Sequence, residues 1–422
     1  MLKKSIIISL ILTLFIAILL IVSGIDKAAN LPKYKEKVWP VFFKTFMAMP
    51  DVFKSSFMIF SGKRSFSNLF NDYNVKFLPK TQYIPINLER KKINFEGVKI
   101  SDRNTFFLET YKDDLILATK SGDFYKIDFN ELVSESKKVS YNKYIIKNLF
   151  DIDGRILDIL VFEDKIFVSK VSNYENCTKL EIYSADLNEN LNFEIFKSFD
   201  ECGVIGLGAG RIKNLDFNDA QGILITTQDS DNDNPGDKPQ DDNSIFGKTV
   251  FVNLKTKNYE IFSKGHRNAQ GLFIKNQIIL STEHGPKGGD EINRIIYKKN
   301  YGWPISSYGE PYKRKNLKYI KGHKENGFEE PLYAFVPSIG ISELIILPNT
   351  FNSAWKNNAL VTSLNGRSIY RVKFEDENYE KVIYVEKIYI GERIRDIKYV
   401  NKLNFIIVAL ERTGDIGILK NK

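Results

Sequence analysis

The sequence is poor in the residues that build most metal sites, since its 422 residues include 3 histidines and 2 cysteines. The cysteines, Cys177 and Cys202, have no partner at a metal-ligand spacing, which excludes a cysteine-ligated metal centre. The histidines are His266, His284 and His323, so any catalytic imidazole has to come from this small set.

From about residue 100 the sequence also lacks long helical runs, and over the same part it lacks an excess of charge. Residues 1–100 hold 16 Lys and Arg against 6 Asp and Glu, whereas the remainder holds 45 against 46. A nearly neutral main domain argues against a nucleic-acid partner, and the shortage of helical runs argues against an α/β fold. A hydrophobic content of 43% is ample for a large core.

The first residues have the pattern of an export signal. Lys3 and Lys4 precede an apolar run over residues 5–22, which is close to the length that spans a bilayer. We predict an uncleaved transmembrane helix over residues 1–24, and a cleaved signal is the alternative. Either way the basic end stays inside, and the bulk of the chain lies on the periplasmic, extracytoplasmic side of the cell membrane.

Residues 25–95 are basic and aromatic and do not fit a strand pattern. Phe42, Phe43 and Phe46 fall at helical spacing. One interpretation is a membrane-proximal linker whose lysines face anionic headgroups. The other is a helix that packs on the main domain or on neighbouring anchors, and the sequence leaves both open.

The cysteine pair favours a disulfide, because an exported chain with an even number of cysteines usually forms one. The segment between Cys177 and Cys202 has the pattern of a hairpin that brings its ends together. We therefore predict a Cys177–Cys202 disulfide. The alternative is two free, half-buried thiols.

From residue 96 onward, short apolar strands that end in small or hydroxylated residues recur along the sequence. Their spacing of roughly 50 residues is typical of a radial array of four-stranded units. We predict an all-β, six-bladed β-propeller over residues 96–422, with these strands nearest the crowded axis. The six runs are residues 115–119, 165–169, 223–227, 278–282, 360–364 and 405–409.

Three polar blocks carry the chemistry of the sequence. They read GHRN at residues 265–268, EHGPKGGDEIN at residues 283–293, and NYGWP at residues 300–304. The first places an imidazole, a guanidinium and an amide in one loop. The second combines backbone carbonyls and carboxylates at a rigid turn, which is the donor set that Ca²⁺ prefers. Each block alone is equally compatible with a tight connection between blades.

In this order, GHRN-x-QG, E-HGP-x-GGDE-x-N and NYGWP resemble the glucose/sorbosone dehydrogenase family, the soluble PQQ-dependent aldose dehydrogenases. The resemblance covers roughly residues 200–422. It continues downstream through residues 337–340, 362–367 and 393–397. It implies a six-bladed propeller, in agreement with the repeats, and an oxidoreductase that transfers hydride from a sugar or alcohol to PQQ.

The resemblance implies cofactor-binding roles for matching residues. Arg267 and Asn268 would face the quinone oxygens of PQQ and polarise the carbonyl that receives hydride. Arg393 and Arg395 would pair with PQQ carboxylates. Asn365 stands where the family often has a PQQ-contacting lysine, so this chain loses one charge-assisted bond there.

An ion pair is the alternative role for the two downstream arginines. Arg393 and Arg395 lie close in sequence to Glu392 and Asp396, which offer carboxylates without any cofactor.

The resemblance also implies two calcium sites. The backbone carbonyls of Gly285 and Pro286 would hold a Ca²⁺ that binds PQQ as well and sharpens its electrophilicity. Glu291 and the carbonyl of Tyr301 match a second, structural Ca²⁺ position of the family.

One departure from the family affects catalysis directly. The family places a catalytic histidine shortly before a Gly-Arg-Ile turn, and here Leu207 or its neighbour occupies that position. Leucine cannot accept a proton, which removes general-base assistance of about 10²–10⁴-fold unless another group supplies it. Asp229 and His284 are the candidate substitutes.

Three functions follow from these features. The first is a membrane-anchored quinoprotein dehydrogenase that oxidises a sugar or alcohol. The second is a non-catalytic propeller that binds a ligand or a protein after loss of the histidine. The third, a lactonase-type hydrolase, requires carboxylate and Asn metal ligands at the axis, which the sequence does not indicate. The sequence leaves the oligomeric state open, and a homodimer is one candidate assembly.

Overall fold

The computed structural model describes residues 86–93, 105–175, 177–203, 208–229, 236–312 and 318–421. All of them belong to one compact unit, Leu78–Lys422. The predicted anchor over residues 1–24, almost all of the predicted linker, and Leu207 lie outside the described residues. Among the described residues, no helix is long and apolar enough to cross a membrane.

Six antiparallel sheets of four strands make up the described structure, which confirms the predicted all-β propeller. The first blade contains β2 (Phe106–Tyr111), β3 (Asp114–Thr119), β4 (Phe124–Asp128) and β5 (Asn142–Lys143). The second contains β7 (Gly154–Phe162), β8 (Lys165–Tyr174), β9 (Cys177–Asp186) and β11 (Glu194–Ser198). The third contains β12 (Ala209–Phe217), β13 (Ala220–Thr227), β14 (Lys248–Asn253) and β15 (Tyr259–Lys264).

The other three blades follow the same order. The fourth blade contains β16 (Ala269–Lys275), β17 (Ile278–Glu283), β18 (Asp290–Arg294) and β19 (Tyr333–Phe335). The fifth contains β20 (Ile341–Ile346), β21 (Ala359–Ser363), β22 (Ser368–Phe374) and β23 (Val382–Tyr389). The sixth contains β24 (Ile394–Val400), β25 (Phe405–Leu410), β26 (Asp415–Asn421) and β1 (Ile86–Lys91).

Short elements complete the fold. The strands β6 (Ile145–Lys147) and β10 (Asn190–Asn192) pair in parallel between the first two blades. The helix α1 (Phe129–Val133) begins where the Asp128 side chain accepts the Asn130 backbone N–H. Two 3₁₀ turns cover Lys324–Asn326 and Ser353–Trp355.

The ring closes through its first described strand. β1 pairs antiparallel with β26, from Ile86 opposite Asn421 to Lys91 opposite Ile416. The sixth blade thus takes its outer strand from the N-terminal side of the chain, which closes the ring. The predicted domain boundary at residue 96 was therefore placed too late.

The six apolar runs are the second strands of the blades and not the inner ones, so this part of the sequence prediction was wrong. The inner strands are β2, β7, β12, β16, β20 and β24, which contact one another in a closed cycle. Second strands have a neighbour at each edge and a blade on each face, and they are therefore the most uniformly apolar. Inner strands turn polar side chains toward the axis.

Apolar side chains fill the space between neighbouring blades in six clusters, one for each pair. Trp355, fully buried, belongs to the cluster between the fifth and sixth blades, and Phe246 to that between the second and third. Burial of this apolar area provides the main driving force for closing the ring.

Candidate functional site

The residues predicted to bind a cofactor lie on one face of the ring. Arg267 and Asn268 directly precede the inner strand β16, and Arg393 precedes β24, which contains Arg395. Asn365 lies in the turn between β21 and β22 and is exposed. Because each blade is an antiparallel meander, inner strands begin on the face where second strands end. We call this the upper face.

Arg393 and Arg395 converge on one carboxylate, that of Glu411. Arg393 Nε–H donates to Glu411 Oε2 at 2.6 Å, and Arg395 Nη2–H donates to Oε1 at 2.7 Å. Burial alone would raise the pKa of the Glu411 carboxyl, but the two guanidinium groups outweigh burial and lower this pKa to about 2. Both arginines thus form ion pairs, but with Glu411 and not with the predicted partners Glu392 and Asp396. Two positive charges share one negative charge.

Gln270 joins the arginine pair to Asn268. Arg395 Nη1–H donates to Gln270 Oε1 at 3.1 Å, and Gln270 Nε2–H donates to Asn268 Oδ1 at 2.6 Å. A side-chain carbon added at Gly208 would lie 2.5 Å from Gln228 Oε1 and 3.3 Å from Asn268 Oδ1. The absence of a side chain at Gly208 therefore leaves these amides open.

Arg267 lies at the other end of this polar surface and is almost buried. Its Nη1–H donates to the carbonyls of His284 and Gly285 at 2.9 and 2.8 Å, and its guanidinium lies 5.4 Å from the centre of the Trp303 ring. Burial lowers the pKa of Arg267. Among the described residues, its buried Nε has no hydrogen-bond partner, so this donor is suited to an acceptor atom of a bound molecule.

His284 presents one ring nitrogen to the backbone. Its Nε2 contacts the carbonyl oxygen of Ile341, which assigns the proton of the neutral ring to Nε2 and a lone pair to Nδ1. Burial lowers the pKa of His284, and the nearby guanidinium groups of Arg267 and Arg395 lower it further. A neutral imidazole with a lone pair on Nδ1 has the chemistry of a general base.

His266 has a structural role beneath Arg267. Its buried ring stacks on Tyr301 with 4.6 Å between centroids and contacts Ser263 Oγ at 2.8 Å and Glu283 Oε2 at 2.9 Å. Glu283 also accepts the backbone N–H of Arg267. These contacts fix the loop that carries Arg267.

Asp229, the other candidate base, supports its neighbours. It is fully buried, and its Oδ2 accepts the indole N–H of Trp303 at 2.8 Å. Its backbone N–H donates to the carbonyl of Arg267 at 2.7 Å. The structure therefore favours His284 over Asp229 as a proton acceptor.

Protein donors already engage the carbonyls predicted to bind calcium. The Gly285 carbonyl accepts from Arg267, and the Pro286 carbonyl accepts from the Tyr312 hydroxyl at 3.0 Å. In the described part of the chain, no cluster of three or more His, Cys, Asp or Glu side chains could hold a metal. A guanidinium beside the Gly285 carbonyl repels a divalent cation, so this arrangement does not fit Ca²⁺ at that position.

Glu291 and Tyr301, predicted for a second calcium, line one small cavity of about 10 Å³ together with Glu283 and His323. Burial raises the pKa of Glu291 well above its ordinary value, and the neighbouring Glu283 raises it further. Glu291 and Tyr301 thus line the same cavity, where the Glu291 carboxyl favours its neutral form. The second Ca²⁺ remains a prediction.

The predicted disulfide is confirmed. Cys177 and Cys202 are bonded, with 5.1 Å between their Cα atoms. Leu207 belongs to residues 204–207, outside the described residues. The bond joins the start of β9 to residue 202, ahead of the undescribed segment. Gly208, the next described residue after this segment, donates its backbone N–H to Gln228 Oε1 at 2.5 Å.

A buried cluster of charges lies on the axis below the upper face, and the sequence analysis missed it. The Nη1 of Arg211 lies 3.0 Å from Asp158, 3.3 Å from Glu343 and 3.7 Å from Asp396. Burial opposes the charge on Arg211, but the three carboxylates outweigh burial and raise its pKa. Because Arg211 stands among these carboxylates, they do not form the open metal site that a lactonase requires.

Gln270 and Glu411 were also missed by the sequence analysis. Gln270 lies two residues after Asn268, inside the GHRN-x-QG motif, so the motif itself carried a signal. Glu411 lies outside every motif. Its role arises because the turn after β25 places it beside Arg393, whose carbonyl accepts the Glu411 backbone N–H at 2.9 Å.

The fold and the upper face define a six-bladed propeller with an arginine-rich polar site at one end of its axis. Residues 214–417 match the family model described as Glucose / Sorbosone dehydrogenase. The chain is thus similar to this family over residues 214–417, just under half of its length.

Individual relatives show the same similarity. Aldose sugar dehydrogenase YliI of Escherichia coli K12 is 28% identical over 215 residues, which cover 47% of this chain and 57% of the relative. The curated relatives that the chain matches are covered over 38–57% of their own length.

Solved structures share the fold. The apo form of the soluble aldose sugar dehydrogenase from Escherichia coli has a TM-score of 0.64 at 18% identity, covering 80% of this chain and 99% of that one. The PQQ-bound aldose sugar dehydrogenase from Streptomyces coelicolor has a TM-score of 0.57 at 16% identity, covering 82% and 100%.

Proposed function

We propose that the upper face binds PQQ and that the protein oxidises a sugar or alcohol by hydride transfer to this cofactor. The observation that carries the proposal is the hydrogen-bonded series from Arg393 through Glu411, Arg395 and Gln270 to Asn268. It joins three residues, Arg393, Arg395 and Asn268, that the resemblance assigns to PQQ from the motifs alone. PQQ supplies the hydride acceptor when bound.

The charge and shape of the surface fit an anionic, planar quinone. Arg267, Arg393 and Arg395 place three guanidinium groups on the upper face, and Glu411 neutralises one charge there. The partnerless Nε of Arg267 offers a donor to a quinone oxygen. Gly208 leaves room beside Asn268.

Each of the protein's own groups would have a separate role in the oxidation of the substrate. The upper face orients the substrate hydroxyl, and Nδ1 of His284 accepts its proton, in place of the family histidine. The Ile341 carbonyl holds the imidazole in the required tautomer. Arg267 stabilises negative charge that develops on an acceptor oxygen.

Titration with PQQ tests the proposed function. For the purified full-length chain we expect saturable binding, followed by PQQ absorbance, and a higher melting temperature with PQQ. Arg395→Ala should weaken binding about 10–100-fold, because it removes charge-assisted hydrogen bonds.

The matched control is Arg294→Ala. Arg294 pairs with the exposed Glu380 away from the upper face, so binding should not change. An absence of saturable binding, or equal binding by both variants, would refute the cofactor site. It would favour the second candidate function, a non-catalytic binding propeller, which the loss of the family histidine also supports.

His284→Gln tests the assignment of the base. If Nδ1 accepts the substrate proton, dye-coupled sugar oxidation should fall about 10²–10⁴-fold while PQQ binding stays within about twofold. Asp229→Asn serves as the comparison, since Asp229 is placed as a support for Trp303. Unchanged turnover in His284→Gln would remove His284 from the mechanism.

The anchor over residues 1–24 and the extracytoplasmic location belong to this proposal as well. The apolar run after Lys3 and Lys4 supports both. Alkaline extraction of cell membranes checks them, because an integral anchor stays in the pellet.

A further inference from the structure

A second and larger cavity lies between the first and second blades, away from the upper face. Its volume is about 450 Å³, within the range of about 300–1,000 Å³ for small-molecule sites. Tyr111 and Asp114 flank the turn from β2 to β3, and Glu189 lies in the connection from β9 to β10. In an antiparallel meander these connections lie on the face opposite to the upper face.

The charges that line this cavity balance. Lys126 and Lys143 supply two positive charges, and Asp114 and Glu189 supply two negative ones. Lys126 Nζ lies 3.6 Å from Asp114 Oδ2 and Lys143 Nζ lies 2.7 Å from Asp123 Oδ1, so protein carboxylates engage both lysines. A balanced lining selects neither anions nor cations, and it therefore favours a neutral polar ligand.

Two polar groups of the cavity have no partner in the protein. Within the described residues, neither the Tyr144 hydroxyl nor the Asn142 side-chain amide makes a hydrogen bond, although Tyr144 is 9% exposed. Burial raises the pKa of Tyr144 to about 12, so its hydroxyl keeps its proton and can donate. The hydroxyl is accessible from the cavity, so it can donate to a molecule bound there.

Aromatic rings complete the site. Tyr111 is held in place by donating its hydroxyl to Asp164 Oδ1 at 2.5 Å, and Tyr144 lines the same cavity. Rings of this kind pack against the C–H face of a pyranose, while amide, hydroxyl and carboxylate groups bind sugar hydroxyls.

We propose that this cavity is a binding site for a neutral saccharide, separate from the cofactor site. The inference does not depend on PQQ binding, because it rests on the charge balance, the partnerless groups and the aromatic lining. A free oligosaccharide and the end of a polysaccharide share this chemistry.

Binding of maltotriose, cellotriose and chitotriose to the full-length protein, measured by saturation-transfer NMR and calorimetry, tests the proposal. We expect saturable binding of at least one trisaccharide. Tyr144→Phe should weaken it about tenfold, and Tyr144→Phe combined with Asn142→Ala should abolish it. Tyr379→Phe, a similarly buried tyrosine of the fifth blade, is the matched control and should bind as the wild type does.

Two further binding measurements distinguish this site from the upper face and identify the form of the ligand. Arg395→Ala should bind the trisaccharide as the wild type does, although its binding of PQQ is weakened. Addition of the matching polysaccharide distinguishes a chain end from a free sugar. Absence of binding by all three trisaccharides, equal binding by Tyr144→Phe, or a preference for a phosphorylated sugar would overturn the proposal.

Discussion

Replacing Arg211 by methionine is expected to destabilise the propeller by about 3–5 kcal/mol, because it leaves buried carboxylates without their counter-charge. Asp158, Glu343 and Asp396 all face this guanidinium and are almost completely buried. Denaturation with urea at pH 7, compared with the wild type, measures the change.

The same carboxylates connect neighbouring blades, which increases the expected effect. Asp158 accepts the Ile212 backbone N–H at 3.0 Å, Glu343 accepts that of Leu272 at 2.9 Å, and Asp396 accepts that of Leu108 at 2.8 Å. Each bond joins one inner strand to the next. Arg211 thus fixes the positions of these three carboxylates in addition to neutralising their charge.

Arg294→Met is the control for this prediction. Arg294 forms an ion pair with Glu380, whose side chain is 67% exposed, and removal of an exposed pair costs about 1 kcal/mol or less. If both methionine variants lose the same small stability, the axial cluster does not stabilise the ring as described.

Acidification is expected to destabilise the protein through Glu411. The folded pKa of about 2 lies below the ordinary value of 4.5, so its ion pairs contribute stability above pH 4.5 that is lost as the pH falls toward 2. The shift corresponds to roughly 3 kcal/mol. Glu411→Gln should therefore be less stable than the wild type at pH 7, and this difference should shrink toward pH 2.

Urea unfolding of both proteins between pH 2 and pH 7 measures this difference, and other carboxylates cancel in the comparison. Glu380→Gln is the control, since its exposed pair should give little pH-dependent difference. A gap between Glu411→Gln and the wild type that stays constant down to pH 2 would contradict the assigned ion pairs.

The motifs were more informative about the site than the strand pattern was about the axis. Arg267, Asn268 and Arg395 were predicted as site residues because their types and order resemble those of a family, and the structure joins Asn268 to Arg395 through Gln270. The strands nearest the axis were misplaced, because bulges interrupt the apolar pattern of inner strands and turn Arg211 and Gln270 inward.

The sequence by itself determined the six-bladed repeat, the Cys177–Cys202 bond and the residue types of the upper face, because periodicity and motifs are local properties of a chain. Only the tertiary structure decided which charges meet. Arg211 is 185 residues from Asp396, and Arg395 is 125 residues from Gln270. Ring closure brings such residues close enough for ion pairs and hydrogen bonds, and a neighbour set by closure leaves no trace in local sequence.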